Sequence, residues 1–143
     1  MSAALLAALV FTVALLVTNA YFLMGSLPLL ILKHDTPLDS WFIRGFFNVY
    51  YVVAVVAASA TAVSLAFASK PAFAVGAAAL ALLSATLRRK IIPRMDALRS
   101  EIRAFGTDAI PGFRRMHLTA TSISFVQLVL IVWSLVVLSL QMK

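Results

Sequence analysis

Apolar residues fall along this chain in four long blocks separated by polar stretches: Ala4 to Leu32, Trp41 to Phe67, Ala72 to Leu87 and Met116 to Leu140. A helix needs about 20 apolar residues to cross roughly 30 Å of hydrocarbon. The third block is the shortest, but the arginines that follow it can snorkel to the membrane surface. Unpaired backbone amides are too costly in lipid, and an open sheet leaves an edge, so each block is expected to be helical. The pattern predicts an all-α fold, an integral membrane four-helix bundle forming a single transmembrane domain over residues 1–143.

The breaks refine the boundaries. Pro28 cannot donate to the Met24 carbonyl and Gly25 softens the helix, so a kink is expected there, with Leu29 to Leu32 tilted or interfacial. Thr36-Pro37-Leu38-Asp39 has capping-box spacing with Pro at the first helical position, which starts the second helix near Pro37. Ser69-Lys70-Pro71 leaves room only for a tight hairpin, and Gly106 to Gly112, with Pro111 inside, ends the third helix and starts the fourth. The expected helices are 4–32, 37–67, 72–105 and 111–140. Beyond Leu87, Ile91, Met95, Leu98, Ile102 and Phe105 recur at spacings of three and four, with Arg94, Arg99 and Arg103 off the stripe. This predicts a cytoplasmic amphipathic extension of helix three, bent at Pro93, lying along the headgroups or packing back on the bundle.

Composition agrees with lipid as solvent. Hydrophobic residues make up 63% of the 143-residue chain and charged residues 12%, with a mean hydropathy of +1.03. Soluble domains run at about 45–50% apolar and about 25% charged. No Lys or Arg precedes Phe11 and the apolar run continues to Leu32, so the first block reads as a retained helix, not a cleaved signal. Of the 12 basic residues, all but Lys70 and Lys143 fall on the side holding the first and third loops. That bias places the loops in the cytoplasm of an inner membrane and both termini outside. It also accounts for the net charge of +7 without nucleic acid as a partner.

Rows of small residues, Ala54-Ala58-Ala62-Ala66 and Ala77-Ala81-Ala85 with Gly76 beside them, allow close helix approach within the chain or between copies. Trp41, Phe42, Phe46 and Phe47 suit an aromatic belt at the cytoplasmic face.

Polar residues inside the blocks are the candidate chemistry. Thr12, Asn19 and Ser26 repeat every seven residues, Asn48 and Tyr51 share a face, and His117, Thr121 and Ser124 follow i, i+4, i+7, with Gln127 one turn deeper. A cytoplasm-facing pocket walled by Asn19, Asn48, Tyr51, His117 and Thr121, with Arg44, Arg88 and Arg114 at its mouth, would suit an apolar aromatic or an anionic lipid. The plainer reading is that the amides and hydroxyls bond between helices and the arginines fix topology. His117 is the one titratable side chain expected within a span, with no carboxylate beside it. The absence of Cys excludes disulfides, thiolate nucleophiles and Cys-bound metals, and two His make a metal site unexpected. A bis-His haem on His34 and His117 is conceivable from their placement at one edge, but no cofactor is expected. There is no phosphate-binding glycine loop and no nucleophile elbow. His34-Asp35 reads as an uninformative loop dipeptide.

Phe113-Arg114-Arg115-Met116-His117-Leu118, running into Ser122 and Gln127-Leu128, resembles the last helix of small bacterial four-helix membrane proteins of unknown function, including the anthrone oxygenase-like family. Ile92-Pro93-Arg94-Met95 is similar to their proline after the third span. The likeness covers the second half of the chain and implies four helices. Where such proteins carry an Asn one turn after the His, this chain reads Thr121-Ser122-Ile123-Ser124.

With no catalytic constellation, the expected role is association, as an oligomer or an accessory subunit of a membrane complex. The alternative is a membrane-embedded enzyme or binder using the polar pocket. Export of small molecules fits less well, because the outer half offers only scattered Thr and Ser.

Overall fold

The computed structural model describes residues 2–34, 36–104 and 106–141, and everything they form is helix, turn or loop. Asp35, the Phe105 end of the extension stripe and Lys143 lie outside the described residues. The helices are α1 (Ala3–Leu29), α2 (Pro37–Phe67), α3 (Pro71–Arg103) and α4 (Ala109–Leu140), all long and apolar enough to cross a membrane.

Local chemistry explains most boundaries. The Ser2 hydroxyl accepts from the Leu5 amide to cap α1, and the Thr36 hydroxyl accepts from the Asp39 amide at 3.2 Å, with Pro37 opening α2. Helix α1 runs through Pro28 but stops at the next residue, shorter than expected: the Leu30, Ile31 and Leu32 amides each bond three residues back, tightening the chain into turns. Helix α4 starts two residues early, at Ala109, because Pro111 is tolerated in a first turn whose amides lack intrahelical partners anyway.

The α2–α3 hairpin closes with a Schellman arrangement. The Lys70 amide bonds the Leu65 carbonyl and the Ser69 amide bonds the Ala66 carbonyl. Ser69 adopts φ 56°, a left-handed conformation usually given to glycine.

Each helix packs on its neighbours in chain order, and α1 also meets α4, so the four close into an antiparallel ring. Helices α2 and α3 pack most extensively, and Ala54, Ala58, Ala77 and Ala81 are all buried. The small-residue rows are thus used inside the chain. One end of the ring, here the basic end, gathers the α1–α2 and α3–α4 loops.

Helix α3 runs unbroken through Pro93, and Ile91, Ile92, Met95, Leu98 and Ile102 bury against Ile43, Phe47, Ala109 and Phe113. Packing holds this segment in place, since each such side chain removed from water contributes about 1.5–3 kcal/mol. The Arg44–Asp96 ion pair adds less, about 0.2–1 kcal/mol, because both partners are partly exposed. Of the aromatic quartet, Trp41 and Phe42 face outward, whereas Phe46 and Phe47 turn inward onto Phe22, with ring centroids at 5.3 and 4.8 Å.

Candidate functional site

The heptad-spaced polar face of α1 and the polar face of α4 meet inside the ring. Ser26 Oγ lies 3.0 Å from His117 Nε2 and 2.6 Å from Thr121 Oγ1, and all three residues are buried. His34 completes the group from the α1–α2 loop. Its φ of 61° accompanies a fully buried imidazole, with Nε2 3.1 Å from His117 Nδ1.

Counting protons gives this chain a direction. Thr121 donates its hydroxyl to the His117 carbonyl at 2.9 Å, so it accepts from Ser26. Ser26 then accepts from His117 Nε2–H, which leaves His117 Nδ1 as acceptor for His34 Nε2–H. Every step is a donor meeting an acceptor, and the sequence ends on a backbone carbonyl of α4. Phe47 and Phe113 pack their rings against the two histidines.

A second network lies deeper. Asn19 Nδ2 donates to the Tyr50 hydroxyl at 3.1 Å, Tyr50 donates to Gln127 Oε1 at 3.1 Å, and Gln127 Nε2 donates to Ser84 Oγ at 3.3 Å. It joins all four helices through two amides and one phenol. Tyr50 is itself clamped, its ring stacked on Phe22 at 3.9 Å.

The residues expected to wall one pocket are therefore distributed. His117 and Thr121 belong to the first network and Asn19 to the second. Tyr51 is fully buried between them, packed on Tyr50 and Phe47, with its hydroxyl unpartnered. Asn48 sits at the periphery, where its Oδ1 accepts from Arg88 Nε at 3.1 Å. Arg44 forms a two-pronged pair with Asp96 at 2.8 Å, and Arg99 approaches the same carboxylate at 3.6 Å. Arg114 is exposed. Most polar side chains in this half of the ring bond one another, with the Tyr51 hydroxyl and Asn19 Oδ1 left over. The two histidines touch directly, whereas an iron between their nitrogens would hold them roughly 4 Å apart, two bonds of about 2 Å. As arranged, they are a hydrogen-bonded pair.

Sequence reasoning misses Tyr50, Ser84 and Thr61, and pairs His34 with His117 only as conceivable haem ligands. Positive φ at a non-glycine residue leaves no sequence signal, which hides the burial of His34. Thr61 was legible, since Ala54, Ala58, Thr61 and Leu65 continue one buried face of α2 at i, i+4, i+7 and i+11.

Grooves of about 320 and 380 Å³ lie between α1 and α2 toward the basic end, around Tyr21 and Phe46, and a further space lies at the other end. A cavity of about 340 Å³ is bounded by all four helices, through Leu15 of α1, Thr61 and Leu65 of α2, Phe73, Gly76 and Leu80 of α3, and Ile131, Leu135 and Leu138 of α4. This is within the range of small-molecule sites, about 300–1,000 Å³. Its lining is almost wholly apolar, the exceptions being the hydroxyls of Thr12, Thr61 and Ser134. It opens sideways past Gly76, Leu83 and Leu130, all of them exposed.

Comparison with known proteins finds no significant match to a family model, a curated protein or a solved structure.

Proposed function

We propose that this chain is a multi-pass protein of the cytoplasmic membrane that holds a lipid-soluble molecule within its helix ring. The ring presents Leu6, Val10, Val17, Met24, Phe67, Leu82, Val126 and Trp133 outward, a band of large apolar side chains suited to lipid and too extensive for water. In the proposed orientation the basic end faces the cytoplasm and the cavity lies in the outer half of the bilayer. The amphipathic part of α3 then stands on the cytoplasmic side, its apolar stripe against α2 and α4.

The cavity carries this reading. Four helices close tightly around two polar networks at one end and leave an apolar space at the other, where a bundle built only for its own stability would be filled. Helix association fits less well, because Ala54, Ala58, Ala77 and Ala81 of the small-residue rows are buried within the chain. Catalysis is not part of the proposal, since the cavity is lined almost wholly by apolar side chains.

The test is to fill the space. A Cβ built at Gly76 meets nothing within 4 Å, so Gly76→Phe and Gly76→Leu occupy the cavity with little cost to the backbone. Both variants should fold and lose binding of an apolar fluorophore in nanodiscs, with Gly76→Ala as control. Undiminished binding in both would remove the proposal.

A further inference from the structure

Thr61 sets the chemistry of that cavity. Its side chain is 2% exposed, it lines the space, and its Oγ1 has no hydrogen-bond partner. Among the described residues the Tyr51 phenol shares this state, but the other buried Ser and Thr hydroxyls are all bonded. Thr12 donates to the Ala8 carbonyl, Thr121 to the His117 carbonyl and Ser124 to the Ala120 carbonyl, each one turn back on its own helix. The same bond to the Ala57 carbonyl is the obvious choice for Thr61 and is not made. A hydroxyl left bare in an apolar environment costs about 1–3 kcal/mol, so the site gains from any guest that supplies an acceptor.

Resting on the reading above, we infer that the ligand is a neutral lipophile whose hydrocarbon body carries a single carbonyl or hydroxyl oxygen, and that this oxygen accepts from Thr61 Oγ1. The class follows from the lining. No charged side chain bounds the cavity, which excludes an ionised headgroup, and a pure hydrocarbon would leave Thr61 as it is. The size of the space excludes a whole phospholipid. The lateral opening past Gly76 and Leu83 lets such a molecule arrive from the bilayer without crossing water.

An isosteric pair separates this from simple apolar binding: 2-acetylnaphthalene and 2-ethylnaphthalene, which differ by a carbonyl in place of a methylene. Affinities are measured on nanodisc-embedded protein after subtraction of partition into empty discs. The wild type should prefer the ketone by about fivefold, the worth of one hydrogen bond. Thr61→Val, which keeps the shape, should bring the ratio to about one with unchanged hydrocarbon affinity, and Thr61→Ser should retain the preference. Thr61→Val should also leave thermal stability unchanged or higher, since it removes a buried unpartnered group. Equal binding of the two probes by the wild type overturns this inference while leaving the cavity-binding role in place. So does a preference that survives Thr61→Val, or a phospholipid acyl chain as the occupant. Failure of both probes to bind removes the role itself.

Discussion

The imidazole of His34 lies 3.1 Å from that of His117, nitrogen to nitrogen, although 83 positions separate them in the chain. One comes from a loop, the other from the third turn of α4, and the contact ties the α1–α2 connection to the far side of the ring. Because the chain of bonds runs one way, both rings should carry a proton on Nε2. Nitrogen-15 spectra of histidine-labelled protein at neutral pH check this, and a His117 signal from the Nδ1–H form would contradict the assignment.

Replacing His117 by Ala strips both Ser26 and His34 of a partner. The expected loss is about 2–3 kcal/mol of stability, read from denaturation in mild detergent. A variant as stable as the parent would mean that the pair is idle.

Gln127 bonds both Tyr50 and Ser84. Hydrogen bonds between membrane helices average about 0.6 kcal/mol and reach about 1.7 kcal/mol. A double-mutant cycle with Gln127→Leu and Tyr50→Phe should therefore give a coupling in that range. Strict additivity would show that this bond contributes nothing.

Ser69 holds a left-handed conformation that a side chain disfavours. Ser69→Gly keeps the two closing bonds of the hairpin and relieves the strain, so it should stabilise the protein by up to about 1 kcal/mol. A lower melting temperature in that variant would show that the serine side chain holds the turn.

Orientation is accessible because the chain has no cysteine. Single cysteines at Ser69 and at Thr107 occupy opposite ends of the ring. A membrane-impermeant maleimide applied to intact cells should label the first and spare the second; the reverse pattern would invert the proposed topology.

Periodicity reads faces well and depth poorly, and both effects are visible here. Thr12, Asn19 and Ser26 are all buried, as their seven-residue spacing requires, and so are His117, Thr121, Ser124 and Gln127. The interior stripe Ile91, Met95, Leu98 and Ile102 was likewise plain, because helical spacing survives a proline that the structure absorbs. What the spacing omits is which polar face meets which. Asn48 and Tyr51 share a side of α2, yet one reaches outward to Arg88 and the other inward to Tyr50 and Phe47. Arg44 was read as part of a charge bias, when its sequence partner Asp96 stands 52 positions away. An empty space has no residue of its own, so the cavity could be seen only once all four helices were in place.

The ring has a consequence for how the molecule is made. Ser26 and His34 emerge from the ribosome long before the helix that bears His117, and Asn19 waits for Tyr50, which in turn waits for Gln127. Until the last of the four helices inserts, the first is a tenant without a lease, its hydroxyls and amide soliciting whatever passes. A chain arrested before α4 would display those groups to lipid and to membrane proteases.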